Sequence, residues 1–246
     1  MMEGTKGTEG TGGTGGTGGT EETEGTARFV ALRHVRREPA EMLERSRGFY
    51  ELMNARRTTR HFSREPVPRE LIELAVMTAS TAPSGAHQQP WTFVVVDDPE
   101  LKRRIREAAE HEERVNYAGR MGREWIEALR PLGTDAVKAH LTDAPYIVVL
   151  FEQRYGLRPD GTRRAHYYVQ ESCGIAAGLF IAAVHNMGLV TLTHTPSPMQ
   201  FLGELLQRPA NERAFLVMPV GYPAPGARVP DLVRKSLDQV LVWNRG

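Results

Sequence analysis

Cysteine is nearly absent from this 246-residue chain: Cys173 stands alone. One thiol excludes an intrachain disulfide and any multi-cysteine metal site, and it permits a reducing compartment. An excess of one charge is absent too. The 31 lysines and arginines and 30 aspartates and glutamates leave a net charge of +1, which gives no electrostatic case for nucleic acid as a partner. Long apolar runs are missing. The longest, Gly174 to Val184, falls far short of the ~20 residues that span a bilayer. Residues 1–26 hold no apolar core of the kind a signal peptide requires. The expectation is a cytoplasmic protein with no membrane partner.

Several catalytic signatures are also lacking. No Gly-x-Gly-x-x-Gly follows a strand, and there is no Walker loop, no His-Glu-x-x-His and no Gly-x-Ser-x-Gly. Ser84-Gly85 has no recognisable base and acid to make a hydrolase. Cys173 sits in a predicted helix among small apolar residues, where a thiol is inert.

What is present is ordinary globular composition, with 40% hydrophobic and 25% charged residues. Residues 1–27 are a Gly/Thr/Glu low-complexity segment, which cannot bury enough apolar surface to offset its ordering entropy and is expected to be disordered. Residues 28–223 read as one domain. Helices are expected over Met42 to Asn54, Pro68 to Ser80 and Pro99 to Glu110, and through Trp125 and Leu129 after a break at Gly119 and Gly122. Tyr167 to Met187 is the longest helix; its run Ser172-Cys173-Gly174-Ile175-Ala176-Ala177-Gly178 suits close backbone approach. Pro198 to Leu206 is a short helix. Trp91 to Val96, Pro145 to Phe151, Leu189 to Thr193 and Phe215 to Val220 read as strands. This pattern predicts an α+β domain with a central sheet flanked by helices. Residues 224–246 form an extension whose Val229, Leu232, Leu237, Val240, Leu241, Val242 and Trp243 need burial, and it is expected to pack on a partner subunit.

Three segments are candidate sites. Arg56, Arg57 and Arg60, with Thr58 and Thr59 between, combine charged forks and hydroxyl donors suited to a phosphate. Taken alone, such a run also reads as a solvated basic turn. Thr81 to Trp91 is a small-residue loop in which Ser84, Gln88 and backbone N–H groups could meet a flat ligand; it also reads as a plain connector, with His87 at the surface. Thr191, Thr193 and Thr195 alternate around His194, a pattern that β-propensity alone can produce.

Together these pieces resemble the nitroreductase superfamily of FMN flavoproteins. The resemblance runs from about Met53 to Leu241. It rests on Arg56-Arg57-Thr58-Thr59-Arg60, on Ala82-Pro83-Ser84-Gly85-Ala86-His87 leading to Pro90-Trp91, on Gly188-Leu189-Val190-Thr191 running into Thr195-Pro196, and on Val220-Gly221-Tyr222-Pro223 with Val229-Pro230 and Arg234-Lys235. It implies a nitroreductase-like mixed sheet and a homodimer with FMN at the interface and the C-terminal tail exchanged. Arg56, Arg57, Thr58, Thr59, Arg60 and Arg234 would hold the phosphate and ribityl end. Pro83, Ser84, Thr193, His194 and Thr195 would lie along the ring system. The superfamily pattern has threonine where this chain has His194.

Within the superfamily, Glu112-Glu113-Arg114-Val115-Asn116-Tyr117, Arg120-Met121-Gly122 and Lys138 resemble the lid of the iodotyrosine-deiodinating family. That resemblance implies a substrate lid over residues 112–138, with Glu113, Tyr117 and Lys138 on the zwitterion of a halotyrosine and the Ala86 N–H on its phenolate. Glu113 and Tyr117, four residues apart, share a helix face. On their own, Glu113 and Lys138 would read as exposed helix charges. The implied activity is FMN-dependent conversion of mono- and diiodotyrosine to tyrosine and iodide. Thr195, near the flavin N5, would favour one-electron steps, and a separate NAD(P)H-dependent reductase would supply electrons. The alternatives are a general FMN nitroreductase or quinone reductase using NAD(P)H, and a non-catalytic flavin-binding protein.

Overall fold

The computed structural model describes residues 27–245; the low-complexity stretch 1–26 lies outside them. The chain divides in sequence into two units at Met42 and Leu43. The described part of the first is irregular up to Glu38, where helix α1 (Pro39–Ala55) begins and Arg37 pairs with Glu41. The second unit carries everything that follows.

Helices α2 (Arg69–Ala79), α3 (Pro99–Val115), α4 (Arg123–Leu129), α5 (His140–Asp143), α6 (Val169–Asn186) and α7 (Gln200–Leu205) surround strands β1 (Trp91–Val96), β2 (Tyr146–Gln153), β5 (Val190–Thr191) and β6 (Glu212–Gly221). A small hairpin, β3 (Tyr155–Leu157) and β4 (Arg163–Ala165), stands apart from the main sheet. The sheet order is β1-β2-β6-β5. The sheet expected to be mixed is, among the described residues, antiparallel at every ladder. A parallel neighbour would need a strand from elsewhere.

Period-two alternation in β2 builds two cores. Val148 and Leu150 point to one face, where α2 and α6 pack; Ile147, Val149 and Phe151 point to the other, where α3, α5 and α7 pack. On α6 the buried positions Cys173, Ala176, Ala177, Phe180, Ala183 and Val184 follow helical spacing and form one stripe. The expected inert thiol is there: burial, with Glu152 adding, pushes Cys173 up to about 12.

Helix α3 matters most for the site. Asp98 caps it, accepting a 2.7 Å bond from the Leu101 N–H, and Pro99 occupies the first turn. Lys102, Ile105, Ala109 and Glu113 are its buried residues, one stripe along the helix. Ile105 and Ala109 seat it on the sheet. Lys102 fastens its start, donating to the carbonyls of Ala144 (2.8 Å) and Pro145 (3.2 Å). Burying this stripe therefore carries Glu113 inward with it.

The tail has little regular structure. It runs past the arginine cluster and then exposes Val233, Leu237, Val240, Val242 and Trp243. No helix among the described residues is long and apolar enough to cross a membrane.

Candidate functional site

A cavity of about 450 Å³ gathers residues from every part of the chain that the motifs singled out except the loop around Ser84. Part of its lining is cationic: Arg56, Arg57, Arg60 and Arg234, with Thr58. The tail helps build this part. Arg57 donates to the Pro230 carbonyl, and Arg234 donates to the carbonyls of Asn54 (3.1 Å) and Arg56 (2.7 Å). Arg56 and Arg60 are half-buried and have no carboxylate partner among the described residues. Burial, then repulsion from Arg234 and Arg57, lowers Arg56; burial lowers Arg60 against the attraction of Tyr117. A desolvated group of cations with no counter-charge is suited to a bound anion. Thr59 departs from this picture. It is buried, its N–H donates to Thr191, and it does not line the cavity. Its place is in the scaffold behind the arginines.

Glu113, Tyr117 and Lys138 line the cavity as well, with Arg60 within charge range of Tyr117 and Lys138. Glu113 reaches it from the last turn of α3. A π-helical turn, Asn116–Arg120, follows directly and swings Tyr117 onto the same wall. Gly119, inside that turn, has φ +142°, a conformation that side chains rarely adopt. Arg120 pins the turn, donating to Asn116 Oδ1 (2.6 Å), Glu112 Oε2 (2.6 Å) and the Ser197 carbonyl (2.6 Å). Lys138 arrives from the far side of the 112–138 segment, its backbone N–H held by Glu110 Oε1 at 2.8 Å.

Lys138 Nζ stands 3.7 Å from Glu113 Oε2, and their side chains are 4% and 9% exposed. Tyr117 donates to the Thr134 carbonyl at 3.1 Å. Lys138 also donates to Thr134 Oγ1 at 3.3 Å and to the Asp135 carbonyl. Burial alone would raise the Glu113 carboxyl. The hydrogen bond from His194 and the charge of Lys138 overcome it and hold the group below the usual carboxylate range. Burial lowers Lys138, opposed by Glu113 and Asp135.

Leu192, Thr193, His194 and Thr195 also line the cavity. His194 forms a bridge with Val217, its N–H donating at 2.8 Å and its carbonyl accepting at 2.9 Å. Alternation then exposes Thr193 and Thr195 and buries His194. The resemblance puts His194 along a cofactor edge with the two threonines; it lines the cavity with them, but its side chain is buried and Nε2 lies 3.2 Å from Glu113 Oε1. The strand pleat is the reason.

Pro83, Ser84 and Ala86 do not line this cavity. Their loop folds against the chain entering α6. Gln88 donates to the Ala165 carbonyl at 2.8 Å and accepts from the Tyr167 N–H at 2.9 Å, and a Cβ on Gly85 would sit 2.4 Å from the Tyr167 carbonyl oxygen. Ala86, His87 and Gln89 all have positive φ. Other lining residues escaped the sequence reading as site residues: Met121, Trp125, Leu129, Leu132, Thr134 and His140. Trp125, Leu129 and Leu132 recur at i, i+4 and i+7, a signal of an apolar face that was there to be used.

A helix-flanked antiparallel sheet beside a cavity lined by arginines that have no carboxylate partner among the described residues defines an anion-holding α+β domain. The chain belongs to the nitroreductase family, whose model matches residues 53–222. Its similarity is high to iodotyrosine deiodinase of Haliscomenobacter hydrossis, 60% identical over 205 residues, covering 83% of this chain and 92% of that protein. Iodotyrosine deiodinase of Danio rerio is 52% identical over 206 residues, covering 82% of this chain and 69% of that protein. A crystal structure of oxidized iodotyrosine deiodinase bound to FMN and 3-iodo-L-tyrosine matches with a TM-score of 0.69 at 30% identity, covering 80% of this chain and 100% of that one.

Proposed function

We propose that this protein is an FMN-dependent oxidoreductase that reductively dehalogenates halotyrosines, converting mono- and diiodotyrosine to tyrosine and iodide. The observation that carries the reading is the buried Glu113–Lys138 pair on the wall of a cavity that an arginine cluster also lines. A free amino acid carries one ammonium and one carboxylate. Glu113 would take the first, Lys138 the second, and Tyr117 would add a hydroxyl beside them. A nitroaromatic or quinone has no use for such a pair.

The cofactor fit rests on the arginines. Arg56 and Arg60 lack a counter-charge, Arg57 and Arg234 stand beside them, and Thr58 adds a hydroxyl. These residues would hold the FMN phosphate, with Thr193 and Thr195 along the ring. FMN, when bound, supplies the electrons. In the balanced reaction the aryl carbon–iodine bond breaks, two electrons and one proton are taken up, a carbon–hydrogen bond forms, and iodide leaves. The protein's share is orientation and exclusion of water. Segment 112–138 would close over the substrate as a lid, with Glu113, Tyr117 and Lys138 fastening it at the charged headgroup.

We also infer a homodimer with FMN at the interface. The loop bearing Pro83, Ser84 and Ala86 is missing from the cavity of its own subunit and would complete the site of the other. The exposed apolar tail, residues 224–246, would pack on that partner. Residues 28–223 would be the FMN domain. A separate NAD(P)H-dependent reductase would supply electrons in the cytoplasm.

The test is anaerobic. Protein reduced with dithionite is mixed with mono- or diiodotyrosine, and iodide and tyrosine are assayed. Stoichiometric release of both is expected. No iodide, together with rapid NADPH-driven reduction of a nitroaromatic, would replace this reading with that of a general nitroreductase.

A further inference from the structure

His194 is buried beside the cavity, and its one side-chain hydrogen bond among the described residues is to Glu113. The partner decides the tautomer. An ionised carboxylate only accepts, so His194 Nε2 must carry the proton and donate it to Oε1. Nδ1 is buried without a hydrogen-bond partner. A second proton there would create an N–H⁺ with no acceptor, so the ring is held neutral; burial likewise lowers its affinity for that proton. The ring is also fixed in orientation. His140 packs edge-on against it, centroids 5.3 Å apart at 82°, and the two backbone bonds to Val217 hold the main chain.

This arrangement solves a specific problem. Glu113 must keep a full negative charge for an ammonium, yet Lys138 pulls on the same carboxylate from 3.7 Å. Were Glu113 free to rotate, it would close onto Lys138 and leave neither charge aimed at a ligand. A neutral donor on Oε1 restrains the carboxylate without cancelling its charge. A lysine or arginine at this position would cancel it.

We propose that His194 is a positioning residue: by donating Nε2–H to Glu113 Oε1 it holds the carboxylate off Lys138 and aimed at the ammonium of the amino-acid substrate. The inference rests on the halotyrosine reading, and its effect falls on the headgroup, away from the halogenated ring.

Two ligands separate the possibilities in holoenzyme titrated by flavin fluorescence: 3-iodo-L-tyrosine, and 2-iodophenol, which lacks the zwitterion. Wild-type protein should bind the first much more tightly; if it does not, the halotyrosine reading itself fails. Given that discrimination, His194→Leu, which fills the space without a donor, should weaken 3-iodo-L-tyrosine at least tenfold and leave 2-iodophenol unchanged. His194→Gln, which keeps an N–H donor, should restore most of the loss. Equal weakening of both ligands, no weakening of either, or a folded Gln variant as poor as Leu would overturn the positioning role. ¹⁵N spectroscopy of the wild-type imidazole is independent of whether the Leu variant folds. It should show protonated Nε2 and bare Nδ1; the opposite tautomer would also overturn the proposal.

Discussion

Glu113 and Lys138 face each other across 3.7 Å with both side chains nearly sealed from solvent. Each is the other's counter-charge until a zwitterion offers both a closer one. Glu113→Gln keeps the shape and removes the charge. It should weaken 3-iodo-L-tyrosine by at least tenfold, ~1.4 kcal/mol. Stability should fall by less than the ~3–5 kcal/mol typical of a broken buried pair, because Lys138 keeps Thr134 and the Asp135 carbonyl as acceptors. Fluorescence titration and thermal unfolding measure the two effects. Unchanged affinity would remove Glu113 from the headgroup site.

The arginine cluster should respond with opposite signs in function and stability. Arg56 is half-buried beside Arg57 and Arg234, and burial and those two charges all disfavour its cation. Arg56→Gln should lower FMN affinity by roughly ten- to a hundredfold, from loss of a charge-assisted bond of roughly 1.5–3 kcal/mol. The FMN-free protein should melt at the same temperature or higher, since a repulsive group is gone. A lower melting temperature with FMN affinity intact would assign Arg56 to the scaffold.

Thr195 is exposed and lines the cavity. Thr195→Ala should retain FMN and halotyrosine binding, lose iodide release, and keep or gain nitroaromatic reduction. That split would assign the hydroxyl to one-electron reactivity and not to binding. Iodide release at the wild-type rate would end that assignment.

How far the sequence could be read varied with how local the physics was. Trp91 to Val96 was legible because an apolar β-branched run is bounded by Pro90 and Asp97, and the strand has those bounds. The long helix was legible from its small-residue run. The hairpin of β3 and β4 was not, although Pro159-Asp160-Gly161 is a turn signal; its three-residue arms hold too few apolar residues to show alternation. The roles of Glu113, Tyr117 and Lys138 came from a family pattern. Nothing local says that a glutamate near a helix end will be buried; that follows from the α3 stripe and from a lysine arriving across a long segment. His194 shows the limit most sharply. Which of three alternating side chains turns inward depends on the bridge to Val217, a contact distant in sequence.

Acid should destabilise this fold through a group outside the proposed chemistry. His140 is buried and its Nε2 has no hydrogen-bond partner among the described residues. Burial, with His194, Lys138, Arg60 and Arg106 adding, pushes its imidazole from 6.5 down to about 3. In the unfolded chain the group keeps its ordinary value. Between those two limits the unfolded state binds a proton that the folded state refuses, so stability rises with pH. The penalty is absent above about pH 6.5, reaches about 2 kcal/mol at pH 5, and stops growing below about pH 3. His194, also lowered by burial, works in the same direction. His140→Phe keeps a ring against His194 and removes the titration. Calorimetry between pH 7 and pH 5 should find a shallower fall of melting temperature in the variant, since the surface carboxylates common to both proteins cancel. Parallel slopes would mean that His140 accepts its proton in the folded state, and that the buried histidine pair is wetter than its packing shows.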